Sequence, residues 1–550
     1  MEERESPGTE SRERSRRVRL VANTLAFLVM GVVLCLTLYP FDFTTQGVPA
    51  RLGAFLRPSI ASIDGLADDI LVNILLFVPL GYALAIFIKR KRGGVWMPLF
   101  LVTLAGFLLS LSIEMLQVFL PFRYSSLFDV GSNALGSAIG SVLHGLVGGR
   151  VSRSIALAYD DRRKARKWLV IAYACALVAA VTLVAALQFT LRISEVNRTW
   201  PLTIGNEPTG SRPWNGTIKQ VIVALSPLDA AGVQKAFEQQ QLPFSDASLI
   251  TSHFVFSGNP PYTNLSSAKA TLVQRGTGSK TAETGGFTTQ GTRWLESKEA
   301  GFVLSSFLAA SSRFTVLTTV AAATLEQTAN ARIIAIAADH TKQNFSLVHH
   351  QRDLVVRFRT MVTGINGTTP QFVVNDVFRD TLAHTIIATF DAEHLRVYVD
   401  NVHNMYSATL GPGFAFFHRL TPWQRNCELS ATPSHTVESS FRLLLYLPFG
   451  LLLGIAFSYF SGGLISLWQR STLRDAALMI IGTALPPVCV EWILGWQLDR
   501  ALNGKYVALG TGIIAATIGV FVLVRAWRQR QARTPDLSFD DADIIQNQLT

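Results

Sequence analysis

The chain has 550 residues, of which 49% are hydrophobic and 16% charged, and its formal net charge is +11 at pH 7. Apolar residues are clustered in long runs, which excludes a single soluble globular domain and a disordered chain. Much of the positive charge flanks those runs, as in membrane topology signals, so we expect no nucleic-acid partner.

Eight apolar runs of roughly twenty residues are long enough to cross a bilayer. They lie at about 20–40, 69–89, 95–119, 127–148, 168–190, 441–461, 475–495 and 505–526. The first follows an Arg-rich start but ends in Leu38-Tyr39-Pro40-Phe41, which lacks the small residues of a cleavage site. That ending favours an uncleaved anchor over a signal peptide. The sequence therefore predicts a polytopic α-helical membrane protein of about eight spans.

Basic residues are concentrated before the first run, in alternate loops and in the tail after the last run. The positive-inside rule then places both termini in the cytoplasm and the long segment between spans five and six outside. The predicted organisation is a basic cytoplasmic N-terminus (1–19), a membrane domain (20–148), a cytoplasmic loop with the fifth span (149–191), an extracytoplasmic domain (192–437), a three-span segment (438–527) and a cytoplasmic tail (528–550).

The extracytoplasmic segment has the pattern of an antiparallel β-sandwich. Short alternating runs are separated by turn residues, for example at 314–317, 332–337, 354–359, 385–390 and 395–399. A weaker helical pattern runs from Pro227 to Gln240. Cys427 is the only cysteine in this segment, so no disulfide framework is expected.

Two stretches of this segment resemble concanavalin A-like (laminin G-like) jelly-roll domains. Leu395-Arg396-Val397-Tyr398-Val399-Asp400-Asn401 is similar to their "LRLYVDG" hairpin. Residues 202–206 (LTIGN) and 212–218 (RPWNGTI) are similar to strands that follow that hairpin in most members. The reversed order here predicts a circularly permuted jelly roll, with strand 202–206 close to strand 395–399. The resemblance implies glycan or peptide binding, and a spacer or assembly domain without a ligand is the alternative.

Four polar residues of the same segment are of types that can bind a cation: His349, His350, Asp400 and Asn401. They lack the spacing of a ligand cluster, so ordinary strand and turn roles are favoured. We expect no metal and no cofactor.

The membrane segment 20–148 contains an unusual set of polar residues, which we call the first cluster. It comprises Asp69, Asn73, Glu114, Gln117, Arg123, Asp129 and Asn133. Ionisable groups at membrane depth are costly, and they are normally retained beside a partner charge or a polar site. Asp69/Asn73, Glu114/Gln117 and Asp129/Asn133 each share a helix face within about two turns of one membrane surface, so the sequence predicts a single outward-facing pocket.

These residues resemble the VanZ-like family. The similarity rests on Tyr39-Pro40-Phe41, Asp69-x-x-x-Asn73 followed by Ile74-Leu75-Leu76-Phe77-Val78-Pro79-Leu80-Gly81, Glu114-x-x-Gln117, Pro121-x-Arg123, and Asp129-x-x-x-Asn133-x-x-Gly136. The resemblance implies a bacterial cell-envelope protein of the inner membrane, associated with low-level resistance to glycopeptide antibiotics such as teicoplanin. It does not supply a biochemical activity.

Two interpretations of the first cluster stay open on sequence grounds. In the structural interpretation, Asp69 and Asp129 cap helices while Arg123 pairs with Glu114. In the functional one, the pocket binds a ligand or carries out a reaction, with Glu114, Asp129 and Arg123 as the candidate catalytic residues. The small-residue face Gly136-x-x-x-Gly140 would hold either arrangement tightly.

The last three spans resemble a degenerate copy of spans two to four. Leu445-Tyr446-Leu447-Pro448-Phe449-Gly450 repeats residues 76–81, and Glu491 and Arg500 reproduce the spacing of Glu114 and Arg123. In this alignment Glu438 and Arg442 take the places of Asp69 and Asn73, while the positions of Gln117, Asp129 and Asn133 become Leu494, Tyr506 and Gly510. The second copy therefore keeps an acid and an arginine but loses the amide side chains. We expect these last three spans to have a structural role.

Three functions remain from these patterns. The first is an envelope protein whose sandwich binds glycan and whose pocket engages a lipid-linked or peptidoglycan-derived group. The second is an intramembrane enzyme acting on a lipid head group, with Glu114 or Asp129 as general base and Arg123 holding phosphate. The third is a proton-coupled transporter or flippase. The expected partners are the lipid bilayer and a cell-envelope glycan or lipid-linked saccharide.

Overall fold

The computed structural model describes residues 29–39, 41, 43–56, 66–88, 96–121, 123, 125–160, 162–266, 269–277, 285–289, 293–420, 434–460 and 473–531. The N-terminal and C-terminal basic segments, the 89–92 turn, Arg470 and Cys427 lie outside these residues.

The N-terminal part is helical at each of the first five predicted spans. Its helices are α1 (Val29–Leu38), α2 (Val48–Leu56), α3 (Leu66–Phe87), α4 (Trp96–Gln117), α5 (Leu127–Asp160) and α6 (Arg162–Thr190). α3 packs against α5 over much of its length, and α4 packs against α5 beside it. These three helices carry all of the first cluster except Arg123, which lies in the loop between α4 and α5.

A β domain follows α6. Its strands are β1 (Leu202–Ile204), β2 (Gly216–Ala224), β3 (Ile250–Val255), β4 (Tyr262–Thr263), β5 (Thr271–Arg275), β6 (Phe287–Thr289), β7 (Trp294–Ser297), β8 (Phe314–Ala322), β9 (Gln327–Ala337), β10 (Gln343–Gln351), β11 (Asp353–Phe358), β12 (Phe372–Val374), β13 (Ala383–Phe390), β14 (His394–Val399) and β15 (Asn401–Thr409). All the pairings in this domain are antiparallel, as the alternating pattern predicted.

The strands form two sheets around one core. The first sheet has the order β12-β11-β10-β9-β1-β7-β5-β4, and the second has the order β15-β14-β13-β8-β2-β3, with β6 also paired to β2. Both sheets contribute apolar side chains to the same cluster, including Ile333 and Leu347 from the first and Val316 and Val397 from the second. α7 (Ala230–Gln239) covers the opposite face of the second sheet, and Asp229 caps its N-terminus. α8 (Lys298–Ser311) follows β7 directly.

The expected proximity of strands 202–206 and 395–399 was wrong. β1 pairs with β7 and β9 in the first sheet, whereas β14 pairs with β13 and β15 in the second. Leu202 and Leu395 contribute to the same core from the two sheets. A short sequence pattern identifies a strand but not the sheet that it joins, because the same alternation fits either face of the core. The 216–224 segment, by contrast, does lie in the sheet of β14.

His349 is a buried histidine of this core. Its ring stacks on Phe378 with the centroids 3.8 Å apart. Its Nδ1 accepts a hydrogen bond from Trp214 Nε1 at 3.2 Å, and its Nε2 lies 2.7 Å from the carbonyl oxygen of Gln351. Burial lowers the pKa of His349 to about 4. These contacts require the neutral ring with its proton on Nε2.

We therefore expect the β domain to lose stability in acid. Between about pH 6.5 and pH 4 an unfolded His349 takes up a proton that the folded ring does not, so stability falls with falling pH by up to about 1.4 kcal/mol per unit. Unfolding followed as a function of pH should show this slope in the native chain and a smaller one in His349→Gln. The same substitution at the exposed His403 is the matched control. Equal acid slopes in the native chain and in His349→Gln would contradict the assignment.

The chain returns to helix after the β domain. α9 (Pro412–Leu420) is followed by α10 (Ser434–Phe460), α11 (Leu473–Leu498) and α12 (Gly504–Gln531). Among the described residues, five helical segments are long and apolar enough to cross a membrane: Trp96–Gln117, Arg163–Thr190, His435–Phe457, Ala477–Leu498 and Gly504–Leu523. Val29–Leu38 and Ile70–Ile86 are shorter apolar segments. α5 occupies the remaining predicted span, 127–148, where glycines, serines and His144 lower the mean hydropathy. The structure thus fits a membrane protein with a β domain.

The β domain rests on the ends of α6 and α11. Gln188 near the end of α6 donates to the carbonyl oxygen of Ala392 at 3.2 Å. Arg313 of the β domain donates to the carbonyl oxygen of Leu498, the last residue of α11. The first cluster belongs to this same end of the helices, because Arg123 contacts Tyr39, whose ring packs against α9.

Candidate functional site

A hydrogen bond joins two members of the first cluster directly, and Glu114 interacts electrostatically with Asp129 and Arg123. Asn73 Nδ2 donates to Asp129 Oδ1 at 2.8 Å and joins α3 to the first turn of α5. Both side chains are half-buried. Asp69 lies one turn earlier on α3, and its side chain is outside the described part of the chain. The Asn73–Asp129 pair is therefore the least buried part of the first cluster among its described side chains.

Glu114 is the buried acid of the first cluster, with 2% of its surface exposed. Its Oε2 accepts the main-chain N–H of Ser126 at 2.9 Å, immediately before α5 begins. Ser126 Oγ in turn accepts the N–H of Phe128 at 3.1 Å, as an N-cap does. A carboxylate at a helix N-terminus is favoured by the helix dipole. Glu114 also interacts electrostatically with Asp129 and Arg123.

Arg123 and Gln117 fasten the end of α1. Arg123 donates from Nε to the carbonyl oxygen of Tyr39 at 3.0 Å and from Nη2 to that of Leu36 at 2.8 Å. Gln117 Nε2 donates to the carbonyl oxygen of Thr37 at 2.8 Å. Carbonyl groups at a helix C-terminus lack partners within the helix, and a cation there is also favoured by the dipole. The two side chains therefore do structural work that the sequence did not predict.

The inner part of the first cluster belongs to a tightly packed interface. Asn133 Nδ2 donates to Ser110 Oγ at 2.8 Å and links α5 to α4, while Asn133 Oδ1 has no hydrogen-bond partner among the described residues. One turn deeper, a Cβ at Gly136 would collide with the carbonyl oxygen of Ile74, and one at Gly140 with that of Val78. The predicted small-residue face is thus confirmed as the contact of α5 with α3.

A second buried set of charges lies between the β domain and the C-terminal helices, and we call it the junction network. It comprises Glu393, Glu438, Arg442, Glu491 and Arg500. Arg442 Nη1 lies 2.7 Å from Glu491 Oε1, with both side chains almost fully buried. Arg500 Nη2 lies 3.4 Å from Glu491 Oε2, and its Nε lies 3.2 Å from Glu393 Oε2. Because Glu393 belongs to the turn before β14, the network bonds the sandwich to α10 and α11.

Glu438 extends the junction network to α9. Its Oε1 accepts the main-chain N–H of Gly413 at 2.9 Å and that of Phe414 at 3.3 Å. Arg442, one turn further along α10, lies over the ring of Tyr506 at 3.6 Å from the centroid. The buried acids are therefore held by helix N–H groups as well as by arginines, as buried charges require.

Contacts in the two sets of helices correspond under the sequence alignment. Arg442 and Tyr506 occupy the positions of Asn73 and Asp129, and each pair is in contact. A Cβ at Gly81 would meet the carbonyl oxygen of Ser137, and one at the matching Gly450 would meet that of Ile514, four residues after the counterpart of Asn133. α10 packs on α12 as α3 packs on α5.

Two contributors to these sites were missed from the sequence. Glu393 lies in a turn of the β domain that looks like ordinary hairpin sequence, and its pairing with Arg500 joins residues 107 positions apart. The ring of Tyr39 stacks on Phe417 with centroids 4.9 Å apart. Nothing in the sequence of the Tyr39-Pro40-Phe41 motif identifies α9 as the helix that it packs against.

The residues weighed as a cation site are not brought together. His349 lies in the core, while Asp400 accepts from the main-chain N–H of Thr385 at 2.8 Å and lies 2.7 Å from His384 Nδ1. Asn401 accepts the N–H groups of His403 and Asn404 at the start of β15. In the described part of the chain, no group of three or more His, Cys, Asp or Glu side chains is placed to hold a metal ion.

Comparison with known families matches the N-terminal part of the chain. Residues 25–148 match the VanZ/LLP1 family model. The VanZ/LLP1 region thus contains α1 to α4, α5 as far as residue 148, and all seven residues of the first cluster. The match ends before α6, the β domain and the second set of helices. No curated protein and no solved structure matches the chain.

Proposed function

We propose that the chain is a bacterial envelope protein of the inner membrane in which an external binding domain is fixed above a VanZ-type polar pocket. In this proposal the β domain is a concanavalin A-like sandwich that binds glycan. The first cluster engages a lipid-linked or peptidoglycan-derived group. Both termini are cytoplasmic, and eight helices span the membrane, with the sandwich outside.

The observation that carries the proposal is the position of Tyr39. Its carbonyl oxygen accepts from Arg123 of the first cluster, and its ring stacks on Phe417, in the helix that follows the sandwich. A ligand held by the sandwich would therefore be close to the end of the membrane domain that carries the first cluster.

Helix polarity supports the eight-span arrangement. α6 and α11 contact the β domain at their C-terminal ends. On the same side lie the C-terminal end of α1 and the N-terminal ends of α10 and α12, which contact Arg123, α9 and Arg442. In the first cluster, α4 contributes its C-terminal end and α3 and α5 their N-terminal ends. Helices that cross the membrane in succession must alternate in this way.

The contacts of the first cluster favour binding over catalysis. An enzyme acting on a lipid phosphate would need the guanidinium of Arg123, and two of its donors go to main-chain carbonyl groups of α1. We place the ligand at the half-buried Asn73–Asp129 pair. These groups suit hydroxyl and amide donors, which saccharides and peptides present.

Replacement of Glu114 tests this proposal. We expect Glu114→Gln to abolish function while changing the free energy of unfolding by less than about 1 kcal/mol, because an amide oxygen can still accept the Ser126 N–H. Function would be measured as teicoplanin tolerance of a deletion strain complemented with each variant. Thermal unfolding of the purified full chain in detergent would report stability.

Glu491→Gln is the matched control, since it makes the same change at the corresponding position of the second set of helices. Its effect should appear in thermal unfolding. Full tolerance with a stable Glu114→Gln protein would show that the charge has no functional role. A loss of several kcal/mol in Glu114→Gln would assign the first cluster to structure alone.

A further inference from the structure

Three arginines lie close together on the face of the first sheet that points away from the sandwich core. Arg332 is on β9 and Arg357 on β11, on either side of β10, and Arg212 belongs to the loop after β1. Arg332 is in register with Val348, and Arg357 with Ser346. Side chains alternate along a strand, so Arg332, Arg357 and their register partners Val348 and Ser346 share one face of the sheet. Arg332 and Arg357 are only 1% and 6% exposed.

The arginines have neutral partners. Arg357 donates from Nε and Nη2 to Gln371 Oε1 at 2.9 and 2.7 Å. Arg332 has longer contacts, from Nη1 to the carbonyl oxygen of Asn330 at 3.5 Å and from Nη2 to that of His340 at 3.4 Å. Arg212 Nη1 donates to the carbonyl oxygen of Ala329 at 2.8 Å.

The local charge is not balanced by protein carboxylates. In the described residues, the salt bridges within 4.0 Å include none to Arg212, Arg332 or Arg357. Glu207 interacts with Arg332 at longer range, but its carboxylate is already occupied by hydrogen bonds from Thr209 and Ser211. Burial, together with the other arginines, lowers the pKa of Arg332 to about 9. Among the described residues, the three arginines therefore have Glu207 as their nearby carboxylate.

Two buried polar atoms among these arginines have no partner in the described structure. They are Arg332 Nε and Ser346 Oγ. The Ser346 side chain is fully buried, and the register places it beside Arg357. An unpaired buried N–H or O–H group costs about 1–3 kcal/mol, so an external acceptor at this place would be favourable.

We propose that this face holds an oxyanion, bound by Arg332, Arg357 and Ser346 with Arg212 at the opening. Guanidinium groups bind carboxylate, sulfate and phosphate groups strongly because their N–H donors match the spacing of the oxygens. Arg212, Asn330 and Gln371 are half-buried and His340 is exposed, so the site is reached from the loops at the sheet edge. The oxyanion is either free in solution or the carboxylate of an acidic sugar, and the inference stands whether or not the sandwich binds neutral glycans.

The test is thermal unfolding of the full chain in detergent, titrated with sodium glucuronate, sodium sulfate and neutral glucose at matched ionic strength. We expect the anions to stabilise the native chain and glucose to have no such effect. Ser346→Ala should leave the anion-free protein unchanged, because its hydroxyl has no partner there. It should raise the anion concentration for half-maximal stabilisation by about tenfold, as loss of a hydrogen bond to a charged group does. Arg332→Gln should remove the response.

Ser407→Ala, at an exposed serine of β15, controls for the substitution and for general salt effects. A response to glucuronate alone would identify a sugar carboxylate as the ligand, and equal responses to both anions would identify a free oxyanion site. If Ser346→Ala and Ser407→Ala respond to anions as the native chain does, the site does not exist. Destabilisation of anion-free Ser346→Ala would also overturn it, by showing that the hydroxyl has a partner within the protein.

Discussion

Replacing Arg442 by Met should lower the free energy of unfolding by about 4 kcal/mol, the range in which breaking a buried ion pair falls. Arg442 is 2% exposed and lies 2.7 Å from Glu491, which is fully buried. Methionine fills similar space but leaves Glu491 and Glu438 with Arg500 as the only arginine of the junction network. The measurement is thermal or denaturant unfolding of the full chain in detergent.

Two further variants make this prediction specific. Arg275→Met breaks the exposed pair with Glu296 in the β domain, and it should cost no more than about 1 kcal/mol. In the double variant Arg442→Met, Glu491→Met, neither buried charge is left alone, so much of the lost stability should return. An Arg442→Met protein as stable as Arg275→Met would show that the junction network does not hold the β domain to the helices.

Replacing Gly140 by Leu should separate α3 from α5 and cost about 3 kcal/mol or more. A Cβ at this position would lie 2.9 Å from the carbonyl carbon of Gly81 and would also strike the carbonyl oxygen of Val78. These obstructing atoms belong to the main chain of α3, so a change of side-chain rotamer cannot relieve the overlap. The Asn73–Asp129 hydrogen bond joins the same two helices and should be lost with them.

The same helix provides the control for this prediction. A Cβ at Gly131 has no atom within 4 Å, and Gly131→Leu should therefore be neutral or slightly stabilising, because leucine favours helix over glycine. Unfolding measurements on the two variants, with crosslinking of cysteines placed on α3 and α5, would separate packing from propensity. Equal stability of Gly140→Leu and Gly131→Leu would rule out the close α3–α5 contact.

The sequence predicted the local elements well because their signals are local. The alternation of apolar and polar residues correctly identified β8, β9, β11, β13 and β14. The helical pattern predicted from Pro227 to Gln240 corresponds to α7. The small-residue spacing of Gly136 and Gly140 correctly indicated close helix packing. Each of these patterns is complete within a few turns or one strand.

Predictions of which residues contact one another were less successful, because the contacting residues are far apart in the sequence. Arg123 interacts electrostatically with Glu114, as expected, but its hydrogen bonds to the end of α1, 84 and 87 positions away, were not predicted. The sheet joined by residues 202–204 depends on the whole core and not on their own pattern. The role of Glu393 depends on where the turn before β14 lands against Arg500.

The arrangement of the junction network has a consequence for biogenesis. Glu438 and Arg442 are one turn apart on α10, so this helix carries its own counter-charge as it leaves the ribosome. Glu491 on α11 has no arginine one turn away, and its shortest ion pair is with Arg442 of α10. A lone carboxylate within a membrane helix is expensive. We therefore expect α10 and α11 to enter the bilayer as a hairpin. Arg500 is the last residue of the junction network to be synthesised, and we expect it to pair with Glu393 after the sandwich has folded.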